Sequence, residues 1–296
     1  MGVALAYSLS PLVLLKFIQF IDASYDLRFK IYDLRIIVMN GLLLALLICF
    51  DLRLAYLILG AVMLYGLFCS LVKRRFIIFL SVICYLLFVI CISAAVHLFW
   101  ILPLVMVRTG SVLVGEDFTN VGMLRFLSVA DFSHALALLA PNWPENLFGK
   151  VYFLQPEFLA LPLFAFSALA LKEQITDNRE QIGNKEQITD NREQMFIRYF
   201  AILALLGAFL AKGANPPFGG MYVWLFEHVP GFIMFRDPTK FYLYIALGYS
   251  VLIPYTLKKI IENPSASSGL RTGIAENREQ IVNSREQNRE QITENR

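Results

Sequence analysis

Hydrophobic residues along this chain fall into long unbroken runs separated by short polar stretches, with neither the two-residue alternation of strands nor the half-polar face of soluble helices. A bilayer core about 30 Å thick takes about 20 helical residues. Seven runs approach that length: Val3 to Ile21, Ile36 to Phe50, Leu54 to Val72, Phe76 to about Pro103, Leu154 to Leu171, Met195 to Ala211 and Phe241 to Leu257. The second and third are joined by Asp51, Leu52 and Arg53. Two charges there would each cost about 2.5 to 3.5 kcal/mol inside one continuous span, so a tight helical hairpin is the cheaper arrangement. The pattern predicts an all-α, polytopic transmembrane bundle of about seven spans.

Orientation follows from where Lys and Arg collect in short loops. The densest cluster, Lys73, Arg74 and Arg75, assigns the loop after the third run to the cytoplasm, and counting outward puts Asp22 to Arg35 and Lys172 to Gln194 there too. Two ordered outer loops result, residues 108–153 and 212–240. Residues 1–171 then form the first part of the bundle, 172–194 a polar insert, 195–257 the second part and 258–296 a polar tail. The run from Val3 either crosses the membrane, with Lys16 reaching toward the cytoplasmic headgroups, or lies in the interface. No basic stretch or small-residue cleavage site marks a removable signal there. The chain is expected in the plasma membrane as a multi-pass protein.

Composition sharpens this picture. Of 296 residues, 57% are hydrophobic and only 17% charged, too few charges to cover a soluble surface. Much of that charge sits in repeats: Lys-Glu-Gln-Ile-Thr-Asp-Asn-Arg-Glu-Gln occurs at 172–181 and again at 185–194, with degenerate copies of Asn-Arg-Glu-Gln after Glu276. One Ile per unit buries too little to offset ordering, which predicts solvated coil or fraying helix. The net charge of +3, mixed in sign, excludes a nucleic-acid surface. Cys49, Cys69, Cys84 and Cys91 lie inside apolar runs without ligand spacing, and His97, His134 and His228 form no helical ligand pair.

No nucleotide-binding, hydrolase or metalloprotease motif is present, so candidate chemistry rests on the outer loops. The first carries Glu116, Asp117, Asp131 and His134, and a stiff turn in which Pro141 and Pro144 flank Asn142 and Trp143, followed by Glu145 and Asn146. That turn is either a wall over a cavity or a cap on the helices. The second reads Asn215, Pro216, Pro217, Phe218, Gly219 and ends in Phe235, Arg236, Asp237, Pro238, Thr239, Lys240, Phe241. Asp237 before Pro238 predicts a helix N-terminus, and with Arg236 and Lys240 beside it this is a reasonable site for a lipid phosphate. The alternative is that Arg236 pairs with an outer carboxylate and anchors the span.

These residues, together with Phe99, Trp100, Ile101, Leu102 and Pro103 closing the fourth run, resemble the polytopic prokaryotic membrane proteins of the YfhO and arabinofuranosyltransferase type, in the GT-C class of glycosyltransferases, over about residues 36 to 257. The resemblance implies a helical enzyme that passes a sugar from a polyprenyl-phosphate lipid to an acceptor at the outer face, with a divalent metal ion in some members. It also implies donor-phosphate contacts by Arg236 and Lys240, acceptor or metal contacts by Glu116, Asp117, Asp131 and His134, and a catalytic base that is an acidic residue in the outer loop after the first span. Asp22 and Asp26, the acids after the first run, fall on the cytoplasmic side and do not match, so the chain resembles the C-terminal part of such a protein, with an upstream half or partner subunit expected. A transporter of lipid-linked sugars and a non-catalytic scaffold are the competing expectations.

Overall fold

The structure is a computed structural model that describes residues 2–25, 34–106, 120–139, 156–170 and 184–262. Every regular element among them is helical. The long helices are α1 (Gly2–Tyr25), α2 (Leu34–Phe50), α3 (Leu52–Lys73) and α4 (Phe76–Val96), followed by the short α5 (Leu98–Met106). Two short helices follow, α6 (Val121–Leu127) and α7 (Phe132–Leu136), then α8 (Ala160–Phe166) between the 3₁₀ turns Pro156–Leu159 and Ser167–Leu169. The chain then forms α9 (Asn184–Ala211), α10 (Gly219–His228), the 3₁₀ turns Phe232–Phe235 and Pro238–Phe241, and α11 (Tyr242–Glu262).

Among the described residues four helices are long and apolar enough to cross a membrane: α1, α3, α4 and the part of α9 from Arg192 to Ala211. The other three expected spans differ for visible reasons. Helix α2 is apolar, with 17 described residues, and ends at Asp51. The stretch near residues 154–171 breaks into two 3₁₀ turns around the seven-residue α8. Helix α11 is long, but Lys258, Lys259, Glu262 and four tyrosines, Tyr242, Tyr244, Tyr249 and Tyr255, make it more polar than the four. The fourth run is also divided, since α4 stops at Val96 and α5 starts again at Leu98. The second copy of the polar repeat is helical and runs directly into the apolar part of α9.

Helices α1 to α4 pack on one another, and α9 packs along α11 with α7 and α8 alongside. Close approach comes from small residues: a Cβ on Gly207 would lie 2.7 Å from the Tyr244 Cβ, and one on Gly248 2.6 Å from the Ala204 Cβ. The two groups join along α3. Tyr199 donates its hydroxyl to the Ala61 carbonyl at 2.9 Å, and Tyr244 donates to the Leu57 carbonyl, one turn earlier, at 2.6 Å. Both hydroxyls are thereby satisfied without water, as a low-dielectric interior requires. The Tyr65 hydroxyl, further along the same helix, donates to Asp22 at 2.6 Å, and its ring meets Tyr199 edge-on.

Candidate functional site: a charged junction at one end of the bundle

The α2–α3 hairpin turns within one residue. Asp51 donates its amide to the Leu47 carbonyl, finishing α2, and in extended conformation caps α3. Its carboxylate accepts from the Arg53 amide at 2.9 Å, from Nε at 3.0 Å and from Nη2 at 2.8 Å. A two-pronged pair of this kind is the strongest geometry available to arginine. The Asp51 side chain is only 5% exposed, whereas that of Arg53 is 37% exposed, so the carboxylate is interior and the guanidinium reaches outward.

A second capped turn stands beside the first. Asp237 accepts from the Thr239 amide at 3.1 Å and from its hydroxyl at 2.6 Å, with Pro238 at the first helical position. Lys240 reaches the other carboxylate oxygen at 3.2 Å. The expected helix start at Pro238 is therefore present, entered through a 3₁₀ turn that leads into α11. Of the two cations foreseen there, Lys240 is the one paired with Asp237. Arg236 follows the fully buried Phe235, whose carbonyl accepts the Tyr222 hydroxyl at 2.6 Å.

The two turns meet because α3 packs on Pro238–Phe241. Tyr56, one helical turn after Arg53, sets its ring 5.5 Å from that of Phe235 and donates to the Pro230 carbonyl at 3.4 Å. Tyr222, Phe232 and Phe241 complete an aromatic wedge beneath. The resulting charges feel one another. Burial raises the Asp51 carboxyl, but the hydrogen bonds and charge of Arg53, with the charge of Lys240, outweigh it and hold the group below the usual carboxylate range. For Asp237 burial again acts upward, and Thr239 and Lys240 together prevail, so it too is held low. Tyr7 of α1 stands in the field of Asp237, Asp51 and Arg53. Asp51 and Arg53 were legible in the sequence only as a helix break.

A neutral knot ties the neighbouring loops together. Asn215 donates to the Ser128 carbonyl at 2.6 Å and the Ala130 carbonyl at 2.7 Å, and Ser128 Oγ accepts the Ala214 amide at 3.0 Å. Gly213 has a φ of 60°, and a Cβ there would fall 2.3 Å from Ser128 Oγ and 2.6 Å from Pro238 Cγ. Gly219, which opens α10, would place a Cβ 2.0 Å from the Ala214 carbonyl oxygen. Pro216 and Pro217, joined by a cis peptide bond, lie between them. Lys212 is buried, donates to the Asn215 carbonyl at 2.7 Å and lies over the Phe209 ring; burial pushes its ammonium below the usual lysine range.

Other expected site residues are placed elsewhere. Asp131 caps α7, accepting from the His134 amide and from His134 Nδ1, each at 2.7 Å, and the His134 ring is buried. Among the described residues no group of three His, Cys, Asp or Glu side chains forms a metal-binding arrangement. Trp100 donates its indole N–H to His97 Nδ1 at 3.0 Å. An indole N–H only donates, so Nδ1 accepts and the proton sits on Nε2, which donates to the Ala45 carbonyl at 3.0 Å. His97 is thus a buried pin between α4 and α2, at the break before α5, and Pro103 lies inside α5. Glu116, Asp117, Asn142, Trp143, Pro144 and Asn146 lie outside the described residues.

No family model, no curated protein and no solved structure matches the chain.

Proposed function

We propose that the chain is a membrane-embedded lipid-phosphate-binding protein of the GT-C glycosyltransferase kind, or part of one, that holds the phosphate of a polyprenyl-phosphate sugar at this junction. The observation that carries the reading is the meeting of the α2–α3 tip with the 236–240 turn. It gathers Arg53, Lys240 and the entry to α11 at one end of apolar helices, where a prenyl chain could lie against the bundle while its phosphate meets cations. Asp51 and Asp237 are ionised at neutral pH, the state a general base needs. The interactions that keep them ionised also weaken them as bases, so the arrangement supports binding more than proton transfer.

The test is native mass spectrometry of the protein in nanodiscs with a polyprenyl-phosphate sugar. The expected outcome is binding by the wild type and a loss of about tenfold or more in Arg236→Ala, Lys240→Ala, since each charged hydrogen bond contributes about 1.5 to 3 kcal/mol. Equal binding by the two proteins overturns the reading.

One observation favours a second reading, that of a non-catalytic scaffold. Arg53 and Lys240 already have carboxylate partners at 2.8 and 3.2 Å, so the junction also works as a neutral clasp between α3 and α11. A clasp predicts that neutralising Lys240 lowers thermal stability and leaves lipid binding unchanged.

A further inference from the structure

Of the two cations at the junction, Arg53 on the hairpin tip differs in kind from Lys240. Arg53 presents five N–H donors in one plane. Asp51 takes the edge formed by Nε and Nη2, at 3.0 and 2.8 Å, and among the described residues no hydrogen bond engages Nη1. Asp51 is itself fixed, because it is nearly buried and also caps α3 through the Arg53 amide. The guanidinium is therefore held in one plane by one edge while its other edge is left to something outside the ion pair. It is held at the α3 end that packs against Pro238–Phe241, and Tyr56, one turn away, locks that end onto Pro230 and Phe235. The charge of Lys240 acts on Asp51, and that of Asp237 on Arg53, so each ion pair lies in the field of the other.

We infer that Arg53 is a specificity-determining residue of the proposed site: its free edge binds two oxygens of a tetrahedral phosphate that Lys240 contacts from the other turn, and Asp51 is the positioning residue that aims it. The inference rests on the lipid-phosphate reading above. An ammonium is a point charge, whereas a guanidinium matches two phosphate oxygens, and pre-ordering by Asp51 lowers the entropy lost when the ligand arrives. The clamp joins α3 to α11, so an occupied site also ties the hairpin to the last helix.

The experiment is a binding cycle on the full chain in phosphatidylcholine nanodiscs, with a polyprenyl phosphate as probe and inorganic phosphate as competitor, comparing wild type, Arg53→Lys, Lys240→Ala and the double variant. Arg53→Lys keeps the charge and loses the fork. It is expected to weaken polyprenyl-phosphate binding about tenfold. The double variant is expected to lose less than the product of the two single losses, because both residues hold one group. Displacement of the lipid by inorganic phosphate identifies the phosphate as the recognised group. Where Arg53→Lys does not fold, Arg53→Gln with Asp51→Asn takes its place, a neutral pair that retains a good cap residue, with the same loss expected. Binding by the Arg53 variant within about twofold of wild type, while Arg236→Ala, Lys240→Ala fails to bind, overturns the role of Arg53 and leaves the site reading standing. Absence of binding by the wild type overturns both. Lipid binding that resists inorganic phosphate and ignores the Arg53 change assigns recognition to the prenyl chain and overturns the clamp.

Discussion

At the scale of single residues, the aspartates of the junction set the behaviour that is easiest to measure. Asp51 and Asp237 have folded-state values below the ordinary carboxylate value of about 3.9. A carboxyl whose value is lowered on folding contributes stability that is complete above its unfolded value and is lost as pH falls through the folded one. Thermal unfolding in detergent is therefore expected to be insensitive to these groups from neutral pH down to about 5 and to weaken from about 4 downward. Asp237→Asn should remove part of that acid sensitivity, and an unchanged acid limb in this variant would show that Asp237 is not its source. Some residue-scale facts were readable in advance. Asp-Pro-Thr announces a capped helix start because the side chain reaches its own backbone two residues on. That Lys240 takes Asp237 while Arg53 takes Asp51 was not readable, because each choice depends on which side chain stands within reach after folding.

At the scale of elements, the seam between α3, α9 and α11 depends on hydroxyls as much as on shape. Tyr199 and Tyr244 reach carbonyls 138 and 187 positions away in the chain, one helical turn apart on α3. Hydrogen bonds between helices in an apolar setting are worth about 0.6 kcal/mol on average, with larger cases near 1.7. Tyr199→Phe and Tyr244→Phe should each lower stability by about that much, and the double variant by more than either alone because the two bonds share no acceptor. Unfolding in mixed micelles measures both, and a double variant as stable as either single one would show that the bonds do not act independently. A run of apolar residues reports how much hydrocarbon contact a segment tolerates. It does not report where the hydrogen-bond ladder breaks, and so the fourth run divides at His97 and the fifth splits into short turns around α8.

At the scale of the whole molecule, helix α3 is the organising piece. It packs with α1, α2, α4 and α9, accepts the Tyr244 hydroxyl of α11, and carries Asp51 and Arg53 at one end and Lys73 with Arg74 and Arg75 at the other. Arg74, in the left-handed conformation, donates its amide to Leu71 and Ser70 carbonyls and closes the helix. A crossing α3 puts these ends on opposite sides of the membrane. Single cysteines in a background lacking the four native ones are expected to react with an impermeant reagent together at 53 and 240, and from the opposite side at 74. Labelling of 53 and 74 from the same side would mean that α3 does not cross. The packed seam bears on the transporter alternative as well, since Tyr65, Tyr199 and Tyr244 fill it and their hydroxyls are committed to Asp22 and to α3 carbonyls.

The helical class, the apolar segments, the hairpin at Asp51 and the capped entry at Asp237 are legible in the residues alone. Each of these follows from local chemistry: chain length against bilayer thickness, the cost of charge in hydrocarbon, and side chains that bond their own backbone. That the hairpin and the entry stand together, that His97 joins α4 to α2, and that Asn215 ties its turn to Ser128 and Ala130 emerges with the packing of the helices. Those pairings depend on which helix faces lie against each other. Hydrophobicity cannot specify that in a chain apolar on nearly every face, because lipid and helix are equally good partners for a leucine. Small residues such as Gly207 and Gly248 and the few buried polar groups select the partner, and their effect is visible only when both sides of the contact are in place.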